Sequence, residues 1–183
     1  MRSLFLLLLT LTASTARAGT PRGVTITQAS DPAVTEGDVI IDGDPAANFA
    51  LVQDYRKWTE IMPDVAKVEI AEQKGVDARV TLVSPGGHRD NLHFHNTPQA
   101  NLIFFEDTGN GGRADVWAEI VFIPQAGPTA QPQTRVHIKL YAKVHGVATL
   151  VVSESDVREK REHQIAGELT HIRDYFRSRV ANR

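Results

Sequence analysis

From Val65 to His145 the chain repeats one pattern: a short segment of alternating apolar and polar residues, a turn, then another such segment. Strict alternation sends successive side chains to opposite faces of an extended strand. Six segments follow this rule: Val65 to Glu72, Asp77 to Val83, Arg89 to His95, Ala100 to Glu106, Arg113 to Ile123 and Thr134 to His145. Gly75, the SPGG at 84 to 87, Pro98 and the GNGG at 109 to 112 make connections of hairpin length. Hairpins make neighbouring strands antiparallel. The loop PQAGPTAQPQ, 124 to 133, is a longer connection, and no internal repeat is present.

Helical signals flank this sheet. Upstream, Val24 to Ala29 and Asp38 to Asp42 read as strands separated by Ser30, Asp31 and Pro32. Asp44-Pro45 then supplies an N-cap followed by proline at the first helical position. Phe49 and Val52, and after a break near Asp54 also Trp58, Ile61 and Met62, are spaced for one apolar face over two short helices. Pro63 ends the second, because the residue before a proline is pushed out of the helical region. Downstream, Ser153 and Asp156 form a capping box, and the stretch from Glu154 to about Val180 has only Gly167 as an interruption. Ile165, Leu169, Ile172 and Phe176 make an apolar stripe on its second half, whereas the first half, ESDVREKREHQ, is polar. Only part of this helix is expected on the core.

The pleat assigns faces. Ile103 and Phe105 are expected to share a side with Val116, Ala118, Ile120 and Phe122, leaving Glu106, Asp115, Trp117 and Glu119 with Leu102 and Phe104 on the other. In the last strand Val136, Ile138, Leu140, Ala142 and Val144 alternate with charged and polar residues. One face is apolar and one is wet, as in an antiparallel sheet covered on a single side. The C-terminal helix is the expected cover.

Met1 to Ala18, MRSLFLLLLTLTASTARA, has a basic start, an apolar run from Leu4 to Leu11 and small residues at Ala16 and Ala18. This is the pattern of a cleaved secretory signal, and the run is too short for a permanent membrane span. Cleavage would leave 165 of the 183 residues, enough for one domain. Arg2 and Arg17 would leave with the signal, so 18 basic residues would face 22 acidic ones, a net charge of about −4. Neither nucleic acid nor a stable membrane anchor is expected of the mature chain. With no cysteine there is no disulfide, no thiolate metal site and no cysteine nucleophile.

Several residues invite chemistry. His93 and His95 share one side of a strand, and with His137 they would bind zinc if their nitrogens converged at about 2.0 to 2.1 Å from it. No carboxylate spacing completes such a site, so they also read as solvent-facing strand residues. No G-x-S-x-G elbow is present, and GNGG lacks the lysine of a phosphate loop. Glu119 and Tyr141, with Asp115 and Trp117, would be acid–base groups only if the mixed face were the interior, since burial raises a carboxyl's proton affinity. Arg89-Asp90 reads as a structural pair or a strand-edge contact rather than as a ligand clamp, although an arginine facing a lipid head group would fit the resemblance given below, and Arg79 is weighed with it.

The segment DGDPAANFALVQDYRKWTEIMPDVAKVEI (42 to 70), the RD at 89 and 90 opening a strand, and the VHG at 144 to 146 before the terminal helix resemble the START-like, helix-grip superfamily, also called SRPBCC. The match covers roughly Gly37 to Arg183, behind a lead-in of residues 19 to 36 that has room for an extra strand. It departs in running GVATLVVS after Gly146 with no early proline, and in the polar first half of the last helix. The resemblance implies an α+β fold: a curved antiparallel sheet of about seven strands, two short helices and one long C-terminal helix. It also implies a hydrophobic small molecule, lipid, quinone or polyketide-like, held between sheet and helix, with no cofactor and no metal. The cavity so implied would be lined by Trp58, Ile61, Met62, Val80, Leu82, Leu92, Phe94, Ile103, Phe105, Val116, Ile120, Val136, Ile138, Leu140, Ile165 and Leu169, with Trp58, Ile61 and Met62 closing one end. A minority of the superfamily are cyclases, for which Glu119 and Tyr141 are the candidate groups here, and a filled core acting through protein contact is the third reading. Oligomeric state is not legible.

Overall fold

The computed structural model describes residues 23–109, 114–127, 131–146 and 153–181. The signal-like segment, most of the GNGG turn, the middle of the proline-rich loop and the GVATLVVS stretch after Gly146 lie outside the described residues, wholly or in large part. Strands β1 (Val24–Gln28) and β2 (Val34–Asp42) lead into helices α1 (Pro45–Gln53) and α2 (Trp58–Ile61), joined by one 3-10 turn, Tyr55–Lys57. Then come β3 (Lys67–Lys74), β4 (Asp77–Val83), β5 (Arg89–Thr97), β6 (Leu102–Asp107), β7 (Ala114–Gln125), β8 (Gln133–Val144) and the long helix α3 (Glu154–Ala181). All eight strands form one antiparallel sheet in the order β1-β2-β8-β7-β6-β5-β4-β3.

The sheet has eight strands where about seven were expected, because β1 pairs fully along β2, Val24 opposite Val39 and Gln28 opposite Thr35. β2 begins at Val34 rather than Asp38. Its inward positions are Thr35, Gly37, Val39 and Ile41, and Gly37, having no side chain, hides that series from a reader. A second boundary moves at β6. Pro98–Ala100 is a 3-10 turn closed by Asn101 at φ 48°, a left-handed conformation that asparagine tolerates, and so the strand starts at Leu102 rather than Ala100.

The helix ends follow local chemistry. Asp44 caps α1 by accepting from the Ala47 N–H at 3.1 Å, with Pro45 in the first turn. Met62, before Pro63, is extended at φ −114° and ψ 102°, and α2 stops there. At α3 the capping box is reciprocal: Ser153 Oγ accepts from the Asp156 N–H and Asp156 Oδ2 accepts from the Ser153 N–H, both at 3.2 Å.

The core is one cluster between the concave sheet face and the three helices. Inward positions on β7 are Ala114, Val116, Ala118, Ile120 and Phe122, and on β8 they are Thr134, Val136, Ile138, Leu140 and Ala142. Ile103 opposes Ile120 and Phe105 opposes Ala118, so the expected faces are the observed ones. Side-chain size therefore falls along the concave face. At one end Phe122 meets Phe49 of α1 edge-on, with ring centres 6.2 Å apart. Toward the other end lie Ala118, Ala142 and Ala114.

Helix α3 packs closely on β2, β8 and β1. Gly37 permits this: a Cβ there would stand 2.6 Å from Ile165 Cγ2 and 2.9 Å from Leu169 Cδ1. The expectation that the first half of α3 stays off the core is corrected at two residues. Val157 is buried, and so is Arg161, at 1% exposure. Arg161 donates through Nη1 to the Ala142 carbonyl at 2.7 Å, through Nε to Thr35 Oγ1 at 3.2 Å and through Nη2 to the Pro32 carbonyl. Backbone acceptors thus receive a charge that a polarity pattern assigns to solvent.

Candidate functional site between sheet and terminal helix

One end of the concave face is closed by aromatic packing. Trp58 lies against Phe94 at 5.4 Å between ring centres, against Tyr55 at 6.0 Å and against Phe105 at 6.3 Å, in each case with the rings steeply inclined. Its Nε1–H donates to the Val52 carbonyl at 2.7 Å, which satisfies the buried indole and locks α2 to the end of α1. Tyr55 is buried beneath it and accepts from Asn96 Nδ2 at 2.7 Å, and burial pushes its phenol up to about 12. Asn48 of α1 donates to Thr134 Oγ1 at 2.9 Å and to the Asp42 carbonyl at 3.2 Å, fixing the helix to β8 and β2. Hydrogen bonds to the backbone hold this end in a single arrangement.

Away from that plug the wall changes character. Past the row of Phe94, Phe105 and Ala118, the residues facing inward are Leu92 on β5 and Val116 and Ala114 on β7. On α3, one turn apart, stand Gln164 and Glu168. Gln164 Nε2 donates to Glu168 Oε1 at 2.8 Å. Among the described residues Glu168 Oε2 has no hydrogen-bond partner. Glu168 is half-buried. Burial pushes its carboxyl up to about 7, against the Gln164 hydrogen bond and with a smaller push from the Asp64 carboxylate.

Of the sixteen residues expected to line a cavity, fifteen are buried and Phe105 is partly so. All belong to the one core cluster or pack against it. A separate cleft of about 270 Å³ opens at the other margin, lined by Gly23, Ile40, Ile41, Asp42, Gln133, Arg173, Phe176 and Arg177. It shares no residue with the expected lining.

The mixed face is the outside. Glu119 opposes Lys139 and Phe104, and Tyr141 stacks on Trp117 at 5.3 Å and 5°, with the Lys139 ammonium 5.6 Å from the indole centre. Glu119, Tyr141, Asp115 and Trp117 therefore point away from the interior. The histidines are spread along this same surface, each beside a carboxylate: His95 with Asp77 at 2.7 Å, His137 with Asp38 at 3.1 Å and His93 with Glu106 at 3.4 Å. Among the described residues no group of three or more histidine, cysteine, aspartate or glutamate side chains is placed to hold a metal ion.

Arg89 and Asp90 do not pair with each other, and Arg89 instead contacts the edge strand β3. The two side chains leave opposite faces of β5, as neighbours in a strand must. Arg89 pairs with Glu69, whose carboxyl this guanidinium and then Lys67 hold well below the usual carboxylate range, while Asp90 turns inward and meets His88 Nε2 at 3.0 Å. Arg79 is exposed, and Arg161 is the arginine that enters the core. Sequence reasoning missed Arg161, Gln164 and Glu168 because all three sit in or beside a run of charged residues. The available signal was spacing: Val157, Arg161, Gln164, Glu168, Ile172 and Tyr175 recur at steps of three and four.

No protein-family model and no curated protein matches the chain. Solved structures do. A STAR-related lipid transfer protein from Xanthomonas axonopodis superposes with a TM-score of 0.61 at 15% identity, covering 87% of this chain and 97% of that one. The Zhui aromatase/cyclase from Streptomyces sp. R1128 gives 0.58 at 15%, covering 86% and 96%. A START superfamily protein from Mycobacterium smegmatis gives 0.62 at 13%, covering 79% and 97%.

Proposed function

We infer the function from the fold, which is the START-like, helix-grip fold. On that premise we propose that it is an exported protein that holds a hydrophobic small molecule, a lipid, quinone or polyketide-like compound, between its sheet and α3. The observation that carries the reading is the asymmetry of the concave face. Phe49 and Phe122 fill one end and Trp58, Phe94 and Phe105 pack in the row of Ala118, whereas past that row the inward residues of β7 and β8 are the smaller Ala114, Val116 and Ala142. Fold alone does not decide function, but this taper supports a ligand site over a uniformly filled interior. Export is supported by Met1 to Ala18. Among the described residues the one large hydrophobic side chain that is exposed is Ile40, at 48%, which speaks against a broad apolar docking face.

Apolar transfer suffices energetically. Each ligand methylene removed from water contributes roughly 0.8 kcal/mol, so a chain of ten contributes about 8 kcal/mol before ordering costs. Affinity should therefore rise with chain length. The test is native mass spectrometry of protein purified from the envelope of a producing cell, paired with melting curves across a lipophile series. A co-purifying neutral lipophile and a melting temperature that climbs with chain length are the expected result; a clean apo mass with no shift for any lipophile refutes the reading. A cyclase would have to use other groups than Glu119 and Tyr141, which lie outside: Glu119→Gln and Tyr141→Phe should leave ligand binding unchanged.

A further inference from the structure

Apart from the space under the sheet, we infer that the cleft between β2, β8 and the C-terminal part of α3 is a second binding site, one that takes a small zwitterion with an apolar body, of the class of an apolar α-amino acid. The cleft holds about 270 Å³. That lies just below the roughly 300 to 1,000 Å³ of sites that enclose drug-sized ligands, so a compact molecule fits it and a long acyl chain does not. None of its lining residues belongs to the expected lining of the concave face, and the site stands or falls independently of the carrier reading.

Two opposite charges line this space without meeting. Arg177 is exposed and, among the described residues, makes no hydrogen bond and no salt bridge. Asp42, at the end of β2, is exposed as well; its Oδ1 accepts from Gln133 Nε2 at 3.2 Å, and it too forms no salt bridge among the described residues. The charges around them are already matched. Arg173, one turn before Arg177, is buried and donates through Nε to Asp174 at 2.8 Å, which takes up the carboxylate nearest to Arg177 in the helix. Arg135, opposite Ile40, pairs with Asp38 at 3.3 Å.

The same cleft is lined by Ile40, 48% exposed, with Ile41 and Phe176 buried. A guanidinium fork suits a carboxylate, an aspartate suits an ammonium, and the exposed isoleucine gains from covering by an apolar body. A ligand with a single charge leaves either Arg177 or Asp42 unmatched, whereas a zwitterion matches both and adds no net charge. This combination also gives the exposed Ile40 a role.

The test titrates the full mature chain, isotope-labelled for amide resonances, with L-norleucine and with the two analogues that lack one of its charges, hexanoate and pentylammonium. Norleucine should shift the amides of Ile41, Gln133 and Phe176 and bind about fivefold more tightly than either analogue, the upper size of one exposed ion pair. Asp42→Asn, which keeps an oxygen for Gln133, should reduce norleucine to the level of hexanoate, and Arg177→Gln should reduce it to the level of pentylammonium. Both residues are exposed, so both variants should melt as the wild type does. Equal binding of the three compounds, norleucine affinity unchanged in both variants, or shifts absent from the cleft overturns the inference. Shifts confined to Leu92 and Val116 on the concave face likewise overturn it while leaving the carrier reading standing.

Discussion

Replacing Glu168 by glutamine should make the protein more stable at pH 8 and leave it unchanged at pH 4.5. The folded-state carboxyl stands at about 7 against an ordinary value of 4.5, so between those values the folded state binds the proton that the unfolded chain has released. A raised carboxyl leaves stability intact below 4.5, removes it progressively as pH climbs toward 7, and holds the full loss above. At about 1.4 kcal/mol per pH unit the gap corresponds to about 3 kcal/mol, and because part of Glu168 touches water, about 2 kcal/mol is the expected loss. Glutamine has nearly the same shape, can still accept from Gln164 through its carbonyl, and never ionises. Urea unfolding followed by circular dichroism, at steps from pH 4.5 to 8.5, measures both proteins. The difference should grow from near zero to about 2 kcal/mol in favour of Glu168→Gln, equivalent to roughly 5 °C in melting temperature. Titration of the histidines cancels, since both proteins carry the same ones. A difference that is flat with pH, or a variant less stable at pH 8, would show that Glu168 faces ordinary solvent and that burial does not raise its carboxyl.

Two further perturbations address the frame. Gly37→Ala should destabilise by about 1 to 3 kcal/mol, because the new Cβ would overlap Ile165 and Leu169 at 2.6 and 2.9 Å; a paired Leu169→Ala should recover part of the loss, and thermal melts of the single and double variants test this. Arg161→Ala should cost about 3 kcal/mol by orphaning the Ala142 and Pro32 carbonyls and leaving a void, whereas Arg161→Lys, unable to reach all three acceptors, should recover less than half; denaturant midpoints that do not move would remove Arg161 from the account.

Much of the architecture could be read from periodicity alone, since strands with a period of two and a capped helix with a stripe each carry their own signal. The faces of β6, β7 and β8 came out as alternation requires, down to Ile103 beside Ile120. What escaped the reading escaped for identifiable reasons. Gly37 has no side chain to show which face it occupies, so β2 was cut short, and its role depends on a helix more than a hundred residues later. Arg161 carries a charge that pattern rules send outward, and only its three-dimensional neighbours, the Ala142 and Pro32 carbonyls, reverse that assignment; Glu168 is half-buried for the same kind of reason, beside Gln164. The residues expected to line a cavity are interior ones, but periodicity does not distinguish a residue that touches its neighbours from one that borders open space. Side-chain size read along β7, from Ala114 to Phe122, was a usable clue to that distinction.

The close seat of α3 on Gly37 has a mechanical consequence. The helix is riveted along one margin of the sheet, to β1, β2 and β8, and it meets the opposite margin chiefly through the short α2 and the Tyr175 to Glu60 contact at 3.4 Å. Any change of internal volume must then be taken up by uncurling β3, β4 and β5 away from a fixed helix, as a page lifts from a spine. If the proposed ligand is held there, guests of different girth would be accommodated at that free edge, while the riveted side stays the same for all of them.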